Sequence, residues 1–241
     1  MSFINLKKSR RRRSVPWLER RIRRWLYDVY VKDLQLNLEL EAMRESVAYI
    51  REHMPDALIF TDWHDLHAHA LAQIGVDGLY LEFGTKRGHS LREIAAMTPH
   101  TVHGFDSFQG LPEDWGGTSL RRGKFRFNGN LVKLPGNTAI HKGWFEDTLP
   151  GFIEEHRDPV AYMHLDCDLY SSTRTVFQHL AGRIVPGSVI VFDEYFNYPN
   201  WRRHEFRAFQ EFVSEHGISY RYLGFLSHAG VVAVLITGRE G

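Results

Sequence analysis

Residues 79–90 read LYLEFGTKRGHS, and this stretch decides the predicted fold. Its apolar first half, Leu79–Phe83, predicts a short buried strand that ends at Gly84, and helical spacing begins at Ser90. A glycine at such a turn lets a ligand approach the backbone, and free amides at the helix start favour an anionic group. The glycine spacing matches neither the G-x-G-x-x-G fingerprint nor a P-loop. We therefore expect a strand–turn–helix ligand site of another kind.

Strands and helices alternate on either side of this stretch. Further strands are predicted at residues 101–105, 138–141, 160–165 and 187–192. Helices are predicted at residues 33–53, 90–97, 171–182 and 201–216. Two final β runs, residues 220–225 and 231–236, are separated by five residues and predict an antiparallel hairpin. The pattern predicts an α/β protein with a doubly wound, mostly parallel sheet, a C-terminal hairpin and an N-terminal helical extension.

Composition limits the class of protein. The chain has 241 residues, of which 43% are hydrophobic and 24% are charged, and this excludes a disordered or collagen-like chain. Cys167 is the single cysteine, so an intrachain disulfide and an all-cysteine zinc site are both excluded. No apolar run approaches the ~18 residues of a membrane span. We expect a cytoplasmic protein with a basic arm and helices at residues 1–54 and one domain at residues 55–241.

The net charge of +1 hides a strong asymmetry. Residues 1–24 carry ten basic side chains and one acidic side chain, so the rest of the chain has twenty basic and twenty-eight acidic residues. Helical spacing over residues 17–30 places apolar residues on one face and arginines on the other. Packing on the body or on a second subunit of a homo-oligomer is the first interpretation. An anionic membrane surface bound through residues 7–30, at the inner face of the membrane, is the second. Nucleic acid is the least favoured partner.

Residues 108–137 form an unusually long segment between two predicted strands. The segment contains six glycines and little helical pattern. Loops longer than about 12–15 residues in a compact domain are usually functional lids or disordered insertions. Trp115, Phe125 and Phe127 favour packing over a site, so we expect a lid.

Acidic residues follow several of the predicted strands. Asp106 follows the second strand, where a carboxylate can accept the hydroxyls of a bound ribose. Asp166 and Asp168 follow one later strand, and Asp193 and Glu194 follow the next. Because the carboxyl ends of neighbouring parallel strands face one crevice, these four acids should lie together and repel unless a cation or proton intervenes. Oxygen ligands suit Mg²⁺ or Mn²⁺.

The histidines add little to this prediction. His64, His67 and His69 cluster without the spacing of a zinc site, and we expect them at the surface or beside a substrate. His164 precedes Asp166 on its strand and is expected to take part in strand packing.

Five motifs in order carry a resemblance to a known family. They are EFGTKRGHS at 82–90, GFDSFQGLPEDW at 104–115, GWFEDTLP at 143–150, HLDCDLYSST at 164–173 and VFDEY at 191–195. Together they resemble the class I S-adenosylmethionine-dependent methyltransferases, and more narrowly the macrocin O-methyltransferase family, which includes mycinamicin and novobiocin sugar methyltransferases. The resemblance runs from about residue 55 to residue 237 and implies a seven-stranded sheet. The basic arm lies outside it.

The resemblance implies roles for particular residues. Binding of S-adenosyl-L-methionine is implied for Glu82, Gly84, Thr85, Gly88, Ser90, Asp106, Ser107, Gly143, Trp144 and Asp166. A Mg²⁺ or Mn²⁺ ion is implied at Asp166, Asp193 and Glu194, with Asp168 as general base. Glu194 departs from the family's Asp-Asp pair, although its longer side chain still reaches a cation. The implied reaction is O-methyl transfer to a hydroxyl of a small-molecule or glycan acceptor, first of all a sugar.

Two functions of other classes stay open. Asp166-Cys-Asp168 matches the D-x-D motif of metal-dependent glycosyltransferases. The glycine turn, the terminal hairpin and the second acidic pair favour methyl transfer instead. The other alternative is a catalytically inactive methyltransferase fold that acts as an adaptor at a membrane through its arm. The intact acidic cluster argues against it.

Overall fold

The structure is a computed structural model that describes residues 17–240. The chain divides into two compact units, and the division falls between Leu40 and Glu41. The predicted domain boundary after residue 54 stays a prediction. Residues 7–16, the first part of the predicted basic surface, lie outside the described residues. Within the described part of the chain, no helix has both the length and the apolar character needed to cross a membrane.

The described part of the first unit, residues 17–40, is helical. Helix α1 (Trp17–Tyr27) continues into a short π-helix (Asp28–Lys32), and α2 (Leu34–His53) begins in this unit. In α1, Arg23 donates hydrogen bonds of 2.8 and 3.1 Å to Glu19 one turn earlier, a spacing that supports isolated helices. Asp33 caps α2 by accepting the backbone N–H of Leu36 at 3.0 Å.

The second unit is built on an eight-stranded sheet in the order β1-β7-β8-β6-β5-β2-β3-β4. Its strands are β1 (Leu58–Phe60), β2 (Leu79–Phe83), β3 (Val102–Asp106), β4 (Thr138–Lys142), β5 (Val160–Leu165), β6 (Val189–Phe192), β7 (Ile218–Leu226) and β8 (Val232–Arg239). Strand β8 runs antiparallel to β6 and β7, and every other pairing is parallel. The predicted mostly parallel sheet with a terminal hairpin is therefore confirmed.

The predicted strand number of seven was wrong by one. The additional strand, β1, has three residues and pairs in parallel with β7 at the sheet edge. Gly224 of β7 permits the close approach, because a Cβ atom there would lie 2.8 Å from the Leu58 carbonyl oxygen. A strand this short has too few residues to show a two-residue period.

Five helices connect the strands of the second unit. They are α3 (Trp63–Leu71), α4 (His89–Ala96), α5 (Phe145–Glu155), α6 (Tyr170–Leu180) and α7 (Glu205–His216). The sequence did not predict α5, because Pro150 inside it suggests a break. Helix α7 starts four residues later than predicted, because Trp201–Arg203 form a separate 3₁₀ turn.

Buried side chains cover both faces of the sheet. Leu81 and Phe83 of β2 belong to one apolar cluster, which includes Phe177 of α6 and Phe209 of α7. Tyr80 of β2 belongs to a second cluster that includes residues of α3 and α4. All residues of β2, β5 and β6 are buried, as expected for central strands covered on both faces. The core therefore holds the carboxyl ends of these strands in fixed positions.

Candidate active site

A cavity of about 620 Å³ opens at the carboxyl ends of β2, β3, β5 and β6. The strand order passes from β6 and β5 on one side to β2 and β3 on the other. This reversal is the place where open α/β sheets bind ligands, because the connections leave in opposite directions and open a crevice. The size is within the usual range for small-molecule sites.

The cavity brings together many, but not all, of the residues singled out from the sequence. Those on its wall are Gly84, Asp106, Ser107, Trp144, Asp166, Asp168, Asp193 and Glu194. Five residues implied in cofactor binding are not on the wall, namely Glu82, Thr85, Gly88, Ser90 and Gly143. The roles of both groups stay predictions.

Gly84 lies where the turn after β2 passes the end of β5. Its φ is +99°, and a Cβ atom would overlap the carbonyl oxygen of Asp166. Only glycine satisfies both conditions without moving β5. Gly88 also has a left-handed φ, of +82°, and precedes the first residue of α4. The glycines therefore shape the turn, and Gly84 also exposes backbone to the cavity.

Asp106 is held in place by two backbone N–H groups, one from the turn after β2 and one from the residues that follow β3. Its Oδ2 accepts the N–H of Lys86 and its Oδ1 accepts the N–H of Phe108, both at 2.6 Å. Burial raises the pKa of Asp106, and these two backbone hydrogen bonds oppose the shift. Each carboxylate oxygen keeps a free lone pair, so the group can still accept hydrogen bonds from two neighbouring hydroxyls.

Glu82 is fully buried and is not part of the cavity wall. Its Oε1 is hydrogen-bonded to Nδ1 of His164 at 3.2 Å, and His164 Nε2 lies 3.8 Å from Asp193 Oδ1. Burial lowers the pKa of His164, but the carboxylates of Asp193 and Glu82 outweigh burial and raise it to about 9. His164 packs in the strand as expected, and its raised pKa favours a positive charge between Glu82 and Asp193.

The expectation that His67 lies at the surface or beside a substrate was wrong. Its side chain is fully buried, and Nδ1 is hydrogen-bonded to the Tyr162 hydroxyl. Burial lowers the pKa of His67 well below its usual value. Helix α3 turns His67 toward the sheet together with Leu66 and Ala70, which the histidine spacing alone did not reveal. His64 is exposed and pairs with Glu93.

Four carboxylates meet on the cavity wall, as the strand ends predict. Burial and then the charges of Asp193 and Asp168 raise the pKa of Asp166 well above its usual range. The pKa of Asp168 rises to about 7 through burial and the charge of Asp193. The pKa of Glu194 rises to about 8 through burial and the charges of Asp193 and Asp168. Asp168 also has a left-handed φ of +64°, a strained conformation typical of functional positions.

Glu205 is a buried acid that the sequence analysis missed. It begins α7 and is fully buried. Its Oε1 accepts the backbone N–H of Asp168 at 3.1 Å, and its Oε2 accepts that of Glu194, also at 3.1 Å. One carboxylate therefore ties together the turns that follow β5 and β6. An acid in the first turn of a helix usually indicates favourable interaction with the helix dipole, so its position alone gave no reason to select it.

The acidic cluster provides the oxygen donors that a hard divalent cation prefers. Burial, and then the charges of the neighbouring carboxylates, raise the pKa values of Asp166, Asp168 and Glu194. Between residues 17 and 240, however, no three His, Cys, Asp or Glu side chains are arranged as a closed metal site. The donor chemistry fits a cation, and side-chain rotation would be needed to surround one.

Residues 108–137 cover the cavity from one side. Leu111 and Trp115 are buried in a small apolar cluster with Leu169 of the β5–α6 turn. The indole of Trp115 lies against the ring of Tyr198, with 5.5 Å between ring centroids. The Lys86 ammonium lies 4.2 Å from the centre of the Phe125 ring, and both side chains line the cavity. The segment therefore packs over the site as predicted, while its movement as a lid stays a prediction.

Known proteins share both the sequence pattern and the fold. The family model described as Macrocin-O-methyltransferase (TylF) matches residues 64–223. A relative from Streptomyces olivaceus, 8-demethyl-8-(2,3-dimethoxy-alpha-L-rhamnosyl)-tetracenomycin-C 4'-O-methyltransferase, is 31% identical over 144 residues, which are 50% of this chain and 54% of the relative. Mycinamicin III 3''-O-methyltransferase from Micromonospora griseorubida is 29% identical over 171 residues, which are 60% of this chain and 64% of the relative. The matches thus span less than two thirds of either relative.

Two solved structures resemble the fold as a whole. The calicheamicin methyltransferase CalS11 has a TM-score of 0.56 at 21% identity, with 90% of each chain covered. The O-methyltransferase NovP has a TM-score of 0.53 at 23% identity, with 72% of this chain and 79% of NovP covered. The family match covers the glycine turn, Asp106 and both acidic pairs, which are the residues that meet in the cavity. On these grounds the chain belongs to the macrocin O-methyltransferase family.

Proposed function

We propose that this protein transfers a methyl group from S-adenosylmethionine to a sugar hydroxyl of a small glycosylated acceptor. The observation that carries the proposal is that Asp106 and the four acids after β5 and β6 line one cavity. A ribose-binding carboxylate on one side and a proton acceptor on the other are what such a transfer requires. The family and the activities for which the two sequence relatives are named support the same reaction.

The methyl donor fits the β2 and β3 side of the cavity. Asp106 is fixed by two backbone N–H groups and faces the cavity, where it would accept the two ribose hydroxyls. Gly84 exposes the backbone beside it, and Trp144 adds an aromatic wall. The acids on the opposite side favour the positive sulfur of the donor, because charges in a low-dielectric cavity interact strongly.

Asp168 is the residue that we assign as general base. When bound, S-adenosylmethionine supplies a methyl group activated by positive sulfur. The acceptor hydroxyl gives its proton to the Asp168 carboxylate, and its oxygen forms a bond to the methyl carbon. The carbon–sulfur bond breaks with its electron pair left on sulfur, which becomes neutral. The pKa of about 7 suits a base that works near neutral pH.

A divalent cation is the second component that we propose. Asp166, Asp193 and Glu194 would hold it with carboxylate oxygens. The ion would act as a Lewis acid that lowers the pKa of the acceptor hydroxyl. Without this cation, Lys86 is the only basic side chain that lines the cavity, among the residues that the structure describes.

The acceptor side of the cavity suits a sugar ring. Trp115, Phe125 and Tyr198 present aromatic surface to the cavity beside the acids. Aromatic faces cover the apolar C–H face of a sugar, and the acids bind its hydroxyls. The named relatives act on glycosylated natural products, so a glycoside of similar size is the first acceptor class to test, followed by larger glycans.

The test is transfer of labelled methyl from S-adenosylmethionine to a panel of glycosides, with a labelled sugar nucleotide as the rival donor. We expect methyl transfer and no sugar transfer. Asp168→Asn should lower kcat about 10²–10⁴-fold while the affinity for S-adenosylhomocysteine stays nearly unchanged. Asp158 is exposed, and Asp158→Asn is the matched control. It should leave both kcat and the affinity for S-adenosylhomocysteine unchanged.

Two results would contradict the proposal. Sugar transfer without methyl transfer would make the protein a glycosyltransferase. Cofactor binding without turnover across the panel would favour the inactive adaptor.

A further inference from the structure

Helix α1 presents an apolar face that is exposed to solvent. All eleven of its residues are exposed, including Trp17 at 63% and Trp25 at 61% of their full accessible surface. At 100° per residue, Leu18, Ile22, Trp25 and Leu26 fall within an arc of about 100°. An arc of large apolar side chains on one side of an exposed helix indicates a surface that something else covers.

The opposite side of α1 is strongly positive. Arg20 and Arg24 lie across the helix from the apolar arc. Arg23 and Arg21 flank its two borders, and the Arg21 guanidinium stacks on Trp17 at 4.9 Å. Glu19 is the only acid of the helix and is paired with Arg23. Arg24 lies 3.9 Å from Asp28, just after the helix, so two of the four arginines have an acidic partner and the charges of Arg20 and Arg21 remain unbalanced.

This combination fits the boundary between lipid headgroups and acyl chains. Apolar side chains enter the acyl region, arginines reach phosphates on either side, and tryptophan rings favour the interface itself. An eleven-residue helix is about 16 Å long, about half the hydrocarbon thickness of a bilayer. The helix can therefore lie in the interface but is too short to span the bilayer.

We propose that α1 docks on an anionic phospholipid surface with Leu18, Ile22, Trp25 and Leu26 inserted. Charge complementarity selects this occupant. A nucleic acid would contact the arginines but would leave the apolar arc in water. A second copy of α1 would cover the arc but would gather like charges around it. This inference is independent of the methyl-transfer activity.

The test uses the full chain with vesicles of phosphatidylcholine alone or mixed with phosphatidylglycerol. We expect cosedimentation only with the anionic vesicles, a blue shift of tryptophan fluorescence, and loss of binding at high salt. Replacing Arg20, Arg23 and Arg24 by Gln should weaken binding about fivefold per residue. Ile22→Glu with Leu26→Glu should abolish it.

A matched control removes the same charge elsewhere. Arg51, Lys133 and Arg157 are exposed and make no ion pair within residues 17–240. Their triple replacement by Gln should leave vesicle binding within about twofold of wild type, because the proposal assigns binding to α1 itself. Melting temperatures check that every variant folds.

Three outcomes would overturn the proposal. The first is no binding of the wild-type chain to anionic vesicles at low salt. The second is equal weakening by the control triple variant. The third is a dimer in sedimentation velocity that dissociates in the Ile22→Glu, Leu26→Glu variant while vesicles have no effect, which would assign the apolar arc to a second copy.

Discussion

Asp106 is the residue on which donor binding should depend most directly. Asp106→Ala removes the acceptor for two ribose hydroxyls in a buried site and releases the N–H groups of Lys86 and Phe108. An unpaired buried polar group costs about 1–3 kcal/mol, so the affinity for S-adenosylhomocysteine should fall about 5- to 150-fold. Calorimetry measures this directly, with exposed Asp158→Ala as the control. Unchanged affinity would place the donor elsewhere.

Glu205 is expected to act through the residues that it positions. Glu205→Gln keeps the side-chain volume but leaves one acceptor for the two N–H groups of Asp168 and Glu194. A small displacement of a catalytic group costs up to about 100-fold in rate, so kcat should fall about 10- to 100-fold while donor KM stays nearly constant.

The control for Glu205 separates a positioning role from general stability. Glu154 is exposed on another helix, and Glu154→Gln makes the same chemical change there. This variant should leave the kinetic constants and the melting temperature unchanged. Burial and then the charges of Asp168 and Glu194 raise the pKa of Glu205 well above its usual value. Neutral Gln avoids this cost of ionisation, so the melting temperature of the variant should not fall in proportion to its rate. A parallel loss of melting temperature and of both kinetic constants would make Glu205 merely structural.

At the level of elements, a network of tyrosine hydroxyls joins α2 to the sheet. The Tyr222 hydroxyl of β7 lies 2.6 Å from that of Tyr49, 2.7 Å from that of Tyr195 and 3.2 Å from that of Tyr220. Tyr222→Phe removes the shared partner of all three, so the free energy of unfolding should fall by about 1–3 kcal/mol. Tyr49→Phe removes only one peripheral hydroxyl and should cost less. Urea unfolding measures both, and equal effects would contradict a network centred on Tyr222.

A second element-level feature is the histidine cluster where β3, β4 and α5 meet. His103 Nδ1 lies 3.1 Å from His141 Nε2, and the rings of His103 and His156 are 5.0 Å apart. Burial, and then the charges of His141 and His156, lower the pKa of His103 from 6.5 to about 4. Below pH 6.5 the unfolded chain therefore takes up a proton that the folded chain does not, and stability falls until about pH 4.

Replacing His103 tests the predicted loss of stability at low pH. His103→Phe keeps a ring against Phe152 and removes the titrating group. The drop in urea midpoint between pH 7 and pH 5 should be smaller in the variant than in the wild type. An unchanged or larger drop would assign the acid sensitivity to other groups.

At the scale of the whole molecule, the acidic cluster makes cation binding measurable through protein stability, without any methyl acceptor. The raised pKa values of Asp168 and Glu194, about 7 and about 8, mean that the folded state holds protons that the unfolded state releases. Without a cation, these two groups therefore lower stability as pH rises from 6 to 8. A divalent cation competes with the same protons and should stabilise the protein more at pH 8 than at pH 6.

Thermal unfolding with Mg²⁺ or Mn²⁺ checks this expectation. Saturation at about 100 times Kd stabilises by about 2.7 kcal/mol, and Asp193→Asn with Glu194→Gln should remove the shift. Sodium chloride at equal ionic strength is the control. An equal shift with sodium chloride, or none with either metal, would leave the acids as hydrogen-bonding groups for the acceptor.

The sequence by itself determined the features that depend on neighbouring residues. The run at 79–90 predicts β2, the turn at Gly84 and the start of α4, because strand, glycine and helix patterns lie within twelve residues. The acids after β3, β5 and β6 were predicted to share one crevice, because parallel strands in an alternating fold present their carboxyl ends at one edge. The terminal hairpin followed from two β runs with a short connection.

Only the tertiary structure decided the features that depend on distant partners. Strand β1 exists because β7 is there to pair with it, and Glu205 gains its role because α7 brings it to Asp168, 37 residues away. Glu82 and His67 are polar, yet pairing with His164 and Tyr162 permits their full burial. Burial and pairing depend on which elements meet in space, and no local pattern of residue types carries that information.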